Sequence, residues 1–225
     1  MDKELSKNFA HGVLGYSVSV PTLGVIRRVE DVETFHLPRD CVIKAAHTAG
    51  NTIIRRGGEA VDRDEIRRWF SLNFYLAGRE SVYRNLVPKV IVEPILFGGG
   101  EVDDYKIFCV DGKPKAILYV RDRNRNFGRG IFDPDWKYHE VGLEPRLGSD
   151  LPRRPEVLDE VLEITRKLAK HFGLVRIDWY INGDTYYLGE ISHGHMRARE
   201  RFSEPAGEAL LSCLLFGWPQ VRDAA

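Results

Sequence analysis

The sequence predicts an α+β protein built on antiparallel sheets. Two hairpin signals carry that prediction: Asp111-Gly112-Lys113-Pro114 between apolar runs, and Asn182-Gly183-Asp184 between two more. A third observation is that helical patterns are interspersed among the hairpins. They do not alternate with single strands, as a doubly wound parallel sheet would require. No internal repeat or low-complexity linker interrupts the chain.

Taken in order, the first clear strand is Cys41-Val42-Ile43-Lys44, an apolar run ending in a lysine. The small, polar stretch His47-Thr48-Ala49-Gly50-Asn51 and the apolar pair Ile53-Ile54 then read as a β-hairpin with a flexible tip. Residues Asp62 to Leu76 place Ile66, Trp69, Phe70 and Phe74 at near-helical spacing, with Asp62 and Asp64 where negative charge suits the helix dipole. Lys89 to Glu93 is a buried strand ending in a carboxylate. Pro94-Ile95-Leu96-Phe97 follows, and the glycines from Gly98 to Gly100 open an acidic segment. Tyr105 to Val110 and Lys115 to Val120 form the first hairpin, and Arg121 to Pro152 reads mainly as loop. Pro155 opens the clearest helix, with an apolar stripe of Val157, Val161, Ile164, Leu168 and Phe172 and a stop at Gly173. Strands from Leu174 to Ile181 and from Thr185 to Ile191 make the second hairpin, and Ala206 to Phe216 is the final helix. The expected division is a segment over 1–40, a small lobe over 41–93 and a large lobe over 94–225.

Composition narrows the class. Of 225 residues, 43% are hydrophobic and 29% charged, which suits a folded soluble chain. Lysine plus arginine balances aspartate plus glutamate at 33 each, so no overall field favours nucleic acid or an anionic membrane. No apolar run is long enough to span a bilayer, and Met1-Asp2-Lys3-Glu4 leads into no signal-peptide core. Cys41, Cys109 and Cys213 are odd in number, widely spaced and set in apolar runs. They read as buried reduced thiols of a cytoplasmic protein.

Three places could carry chemistry. Along a strand Arg176, Asp178 and Tyr180 share one face, and Glu190 returns near Asp178 across the turn. Two carboxylates on one face repel unless a cation sits between them, and oxygen ligands so placed suit Mg²⁺ shared with phosphates. The plain alternative is an Arg–Asp–Glu ion-pair set on a solvated hairpin. Lys44, at a strand end beside the His47-to-Gly50 tip, is placed to reach a phosphate that backbone N–H groups of the tip would also bind. The alternative there is a snorkelling lysine. Glu93, before a proline and a loop, is a candidate hinge whose backbone could meet a purine. No Walker motif is present, and no Ser/His/Asp or Cys/His arrangement is apparent. His193-Gly194-His195 reads as either an acceptor-site lining or a polar loop. Arg121, Arg123 and Arg125, and the run Arg197 to Arg201, read as either anion contacts or solvated faces. Tyr16, Tyr119, Trp136 and Trp179 read as core or interface aromatics.

In order, these pieces resemble the ATP-grasp superfamily. More narrowly they resemble the TupA-like ATP-grasp family, named for teichuronopeptide biosynthesis. The segments that carry the resemblance are Val20 to Val25, Leu37-Pro38 with Val42-Ile43-Lys44, and the His47-to-Gly50 loop. Asp104 to Pro114 is the most specific, and Phe132 to Trp136 and Tyr187 to Glu190 agree with it. The resemblance implies two α+β lobes gripping ATP, with a reduced N-terminal lobe and Mg²⁺ between carboxylates and phosphates. It implies Lys44 and Lys106 on phosphates, Glu93, Pro94, Ile95 and Leu96 as the adenine hinge, and Glu101 or Asp103 on the ribose. Asp178 and Glu190 would hold the metal, and Arg176 would stabilise the transferring phosphoryl group. Ser192 stands where ATP-grasp ligases commonly carry a metal-binding Asn, and is the poorer ligand.

The expected activity is carboxylate–amine ligation through an acyl phosphate, on a small-molecule or glycan/peptide acceptor. The alternatives are a phosphotransferase acting on a hydroxyl and a nucleotide-binding module without catalysis. The family name points to glycan or peptide-polymer assembly as the pathway.

Overall fold

A computed structural model describes residues 2–99, 102–121, 127–140, 143–193, 202 and 204–218. The chain forms two compact units, one of residues 1–9 and 19–100 and the other of residues 10–18 and 101–225.

The first unit carries a four-stranded antiparallel sheet in the order β1-β4-β2-β3, from β1 (Gly24–Ile26), β2 (Cys41–Ala45), β3 (Thr52–Arg55) and β4 (Val90–Glu93). Cys41, Ile43 and Ala45 alternate onto one face with Val90 and Val92. There they form a core with Ile66 and Trp69 of helix α2 (Arg63–Phe70). The single helix expected over Asp62 to Leu76 is two. Asp62 caps α2 by accepting from the Glu65 N–H, and Asn73 caps a second helix, α3 (Phe74–Gly78), by accepting from Leu76. A new cap inside an apolar pattern restarts the helix without breaking the pattern. The sequence also shows no signal for α1 (Lys3–Leu14). The residues this helix buries are small, Ser6 and Ala10 one turn apart, so hydrophobic periodicity is missing. Its start is fixed by Asp2, whose carboxylate accepts from the N–H groups of Glu4 and Leu5.

The second unit carries a six-stranded antiparallel sheet in the order β10-β9-β5-β6-β7-β8. Its strands are β5 (Asp103–Val110), β6 (Lys113–Val120), β7 (Arg129–Phe132), β8 (Tyr138–His139), β9 (Leu174–Asn182) and β10 (Thr185–Ser192). Both hairpins expected in this unit form, β5–β6 and β9–β10, as does the one expected in the first unit, β2–β3. Strands β7 and β8 lie inside the stretch read as loop. Gly130 within β7 is there because a Cβ would come within 2.6 Å of the Leu147 side chain. Helix α4 (Leu158–Ala169) starts three residues after Pro155 and packs on one sheet face, where the Trp179 indole donates to the Thr165 hydroxyl at 2.9 Å. On the other face, Leu211, Leu214 and Leu215 of helix α5 (Pro205–Phe216) pack on Phe108, Ala116, Leu118, Val120 and Ile131. Cys41 and Cys109 are buried and Cys213 half-buried, all three as free thiols, and burial pushes Cys109 up to about 12. No helix among the described residues is long and apolar enough to cross a membrane.

Candidate active site

One sheet face of the second unit concentrates charge. Lys106 on β5 stands directly opposite Asp178 on the neighbouring β9, and Asp178 stands opposite Glu190 on β10. Residues directly opposite in an antiparallel pair share a face, so these three side chains do. Asp104 joins them two residues before Lys106. Arg176, two residues before Asp178, is opposite Ser192. Farther along the same face, Phe108 of β5 with Ala116, Leu118 and Val120 of β6 and Ile131 of β7 make the apolar floor under α5.

Glu190 reaches its place through a β-bulge. From the Asn182–Thr185 turn the register runs regularly to Trp179–Leu188, then skips Gly189, so that Asp178 pairs with Glu190. Regular pairing would put Gly189 opposite Asp178 and turn Glu190 to the far face. Gly189 is required for a second reason: a Cβ there would sit 2.7 Å from the Tyr180 ring.

Asp178 is only 4% exposed. Its Oδ1 accepts from Arg176 Nε at 2.6 Å, and its Oδ2 accepts from Arg176 Nη2 at 2.8 Å and Lys106 Nζ at 3.2 Å. The Lys106 ammonium also donates to Asp104 at 3.0 Å. Burial alone would raise the Asp178 pKa, but Lys106 and Arg176 outweigh it and hold the carboxyl below its usual range. Burial likewise disfavours the charge on Lys106, and Asp178 with Asp104 overcomes it, raising its pKa. Arg176 is kept charged in the same way, chiefly by Asp178.

These contacts correct two expectations. The Arg–Asp pair is buried rather than set on a solvated hairpin. The repulsion expected between Asp178 and Glu190 is already offset by two cations of the protein. Among the described residues no three His, Cys, Asp or Glu side chains gather into a metal cage. Asp178 and Glu190 are a two-carboxylate donor set of the kind Mg²⁺ takes when phosphates and waters complete its shell, so the residues fit that ion. Ser192 lies buried at the end of β10, beside the pair.

The first unit holds a second buried charge cluster. Lys44 and Glu93 are diagonal neighbours on the sheet face opposite α2, with their charged atoms 2.7 Å apart. Glu93, 3% exposed, also accepts from Lys7 of α1, whose ammonium donates as well to the Val20 carbonyl at 2.7 Å and the Thr22 hydroxyl at 3.1 Å. Burial would raise the Glu93 pKa, and the two lysines outweigh it and lower it. Lys7 escaped sequence reading because α1 itself did, and a lysine four residues after another carries no signal alone.

The remaining candidates separate. His47 is buried with both ring nitrogens on the backbone. Nε2 lies 3.0 Å from the Trp69 carbonyl, and Nδ1 accepts from the Lys89 N–H at 3.3 Å. Burial lowers its pKa, so the ring is neutral and pins the loop. Gly50, exposed with φ of +82°, forms the tip, where Thr48 donates to Asn51. After β4, Pro94 and Ile95 lead into a short turn at Leu96–Gly99 in which Phe97, Gly98 and Gly99 all have positive φ. Asp103 alternates to the sheet face opposite Lys106, where its carboxylate accepts from the Tyr119 hydroxyl at 2.6 Å. That face also holds the aromatic packing of Tyr105, Tyr119, Phe132 and Trp136. Arg121 donates to the Asp150 carbonyl, and His193 packs edge-on against Phe172. Glu101, Arg123, Arg125, His195 and Arg197 to Arg201 lie outside the described residues.

D-alanine–D-alanine ligase from Helicobacter pylori matches the chain with a TM-score of 0.50 at 14% identity, over 98% of this chain and 59% of that one. The ATP-grasp ligase PsnB, complexed with a minimal precursor, matches with a TM-score of 0.48 at 15% identity, over 87% of this chain and 52% of that one. The chain thus spans between half and three-fifths of these proteins, and at 14% identity the likeness to the first bears on the fold alone. No curated protein matches the sequence. A family model, TupA-like ATPgrasp, matches residues 1–212, and the chain belongs to that family.

Proposed function

We propose that this chain is an ATP- and Mg²⁺-dependent carboxylate–amine ligase, forming an amide through an acyl phosphate on a small-molecule or glycan/peptide acceptor. The observation that supports it best is the buried Lys106–Asp178–Arg176 cluster with Glu190 set opposite Asp178. Burying so many charges is costly unless the site uses them. Two carboxylates, an arginine and a lysine on one sheet face form the donor set that phosphoryl transfer needs.

The roles follow from position. Asp178 and Glu190 hold the metal, which when bound neutralises phosphate charge and orients the phosphates. Arg176 and Lys106 donate to phosphate oxygens, where negative charge grows as the phosphoryl group leaves. In the first unit taken by itself, Lys44, set by Glu93, offers a phosphate contact, and the backbone from Glu93 to Leu96 offers one to a purine. No residue need form a covalent intermediate: a substrate carboxylate oxygen attacks the γ-phosphorus, ADP leaves, and an amine displaces phosphate from the acyl carbon.

The test is product analysis with a panel of carboxylates and amines. Ligation gives one ADP and one free phosphate per amide. A stable phosphorylated acceptor would instead make the protein a phosphotransferase, and nucleotide binding without ADP release would leave a binding module.

A further inference from the structure

The Lys106 ammonium lies between the carboxylates of Asp104 and Asp178, at 3.0 and 3.2 Å. That is the position a bound cation would take between two acids. A carboxylate offers about four acceptor sites, and the Lys106 and Arg176 contacts already use three on Asp178. All of these groups are largely withdrawn from water, so an approaching divalent cation would meet two positive charges with little screening. The described residues offer no alternative cluster of three acids to hold it.

We infer that Lys106 is a resident stand-in for the metal, so that Asp178 accepts a divalent cation only together with nucleotide phosphates. The inference rests on the Mg²⁺–ATP reading above and adds an order of loading to it. Phosphates bring several negative charges that Lys106 and Arg176 can serve in place of Asp178. Their departure frees the Asp178 oxygens, and Asp104 keeps the lysine tethered at the site. The exchange swaps ionic partners and makes or breaks no covalent bond. The benefit is that the face stays charge-compensated whether or not nucleotide is present.

Mn²⁺, followed by the loss of its free-ion paramagnetic resonance signal, is titrated into the full chain with and without ADP. For the wild type, affinity without ADP should be at least about tenfold weaker than with it. Lys106→Met should close that gap by raising nucleotide-free affinity about tenfold or more, because the competing charge is gone. Lys106→Arg, which keeps the charge, should preserve the gap. If Lys106→Met does not fold in metal-free buffer, Mn²⁺ alone should restore its melting transition, and failure to do so overturns the inference. Wild-type protein that binds Mn²⁺ equally well without ADP also overturns it. In that event normal ADP release would leave the ligase reading standing. Absence of Mn²⁺ binding even with ADP, together with absence of ADP release, would remove both.

Discussion

Replacing Asp178 by Asn keeps the shape of the side chain and removes its charge. From the sequence alone, with two carboxylates facing each other, this change should relieve repulsion and leave the metal-free protein equally or more stable. The structure reverses the sign. Asp178 is the shared counter-ion of Arg176 and Lys106, through contacts at 2.6, 2.8 and 3.2 Å. An amide keeps one acceptor oxygen in place of two, carries no charge to balance either cation, and turns an N–H₂ toward a donor on its other side. Breaking a buried pair by removing one partner costs about 3–5 kcal/mol, because the remaining charge is stranded. Lys106 keeps Asp104 at 3.0 Å, so about 3 kcal/mol, the lower end, is expected here. For a chain of this size that is a fall of roughly 6–12 °C in melting temperature.

Glu190→Gln is the internal control. Glu190 is only partly buried, so its charge is better screened and metal-free melting should move far less. Both variants should lose ADP release by about 100-fold or more, since each removes charge that the proposed metal site needs. The assays are calorimetric melting in chelator and coupled ADP release. An Asp178→Asn protein that melts at or above the wild type in chelator would refute the ion-pair reasoning. One that melts lower yet releases ADP normally would make the cluster purely structural.

Other outcomes follow from the same contacts. Mg²⁺–ATP at a hundredfold excess over its Kd should stabilise the protein by about 2.7 kcal/mol, and a thermal-shift titration with no response would count against nucleotide binding. Lys44→Ala should weaken binding of ATP more than of adenosine and lower stability only modestly, because Lys7 still compensates Glu93; equal weakening of both ligands would make Lys44 structural. Glu93→Gln should cost about 3 kcal/mol at neutral pH. The Glu93 pKa is depressed in the folded state, so its contribution is complete above the unfolded value of about 4.3 and is lost as pH falls through the folded value. The stability gap between wild type and variant should therefore close below about pH 4, and urea titrations across that range measure it. Gly189→Ala should lower ADP release and stability together, as the new Cβ displaces the Tyr180 ring or the bulge; unchanged ADP release would detach the bulge from function.

How much of this was legible depended on range along the chain. The hairpins were legible because Asp111-Gly112 and Asn182-Gly183 are local turn signals, and the pairing of strands beside a short turn follows from them. The neighbourhood of Asp178 and Glu190 came with the second hairpin. That they share a face was expected as well, but strict alternation does not deliver it: it would have turned Glu190 away, and the bulge at Gly189 brings it back. Lys106 was legible as a charged residue on a strand but not as the partner of Asp178, since β5 and β9 are joined across more than sixty residues of sequence. The same holds for Lys7 and Glu93. Loops containing Gly130 and helices burying only Ser6 and Ala10 were misread or missed because their packing depends on contact with distant residues, which periodicity does not report.

The two charge clusters share a design that bears on mechanism. In each, a buried acid is held by two cations, Asp178 by Arg176 and Lys106, and Glu93 by Lys44 and Lys7. A lysine proposed to bind phosphate, if left alone in a buried site, would have its pKa lowered toward loss of its charge, and a lone buried arginine would carry an uncompensated one. Pairing with an internal acid keeps the charge in place before the ligand arrives. The cost is that the ligand must then compete with that acid. The competition is favourable for a nucleotide, whose phosphates carry several charges, and unfavourable for a lone monovalent anion. Chloride or acetate should therefore fail to compete with ADP at concentrations where pyrophosphate does. A competition titration against a fluorescent nucleotide measures this directly, and equal displacement by monovalent anions would show that the internal acids do not set the threshold.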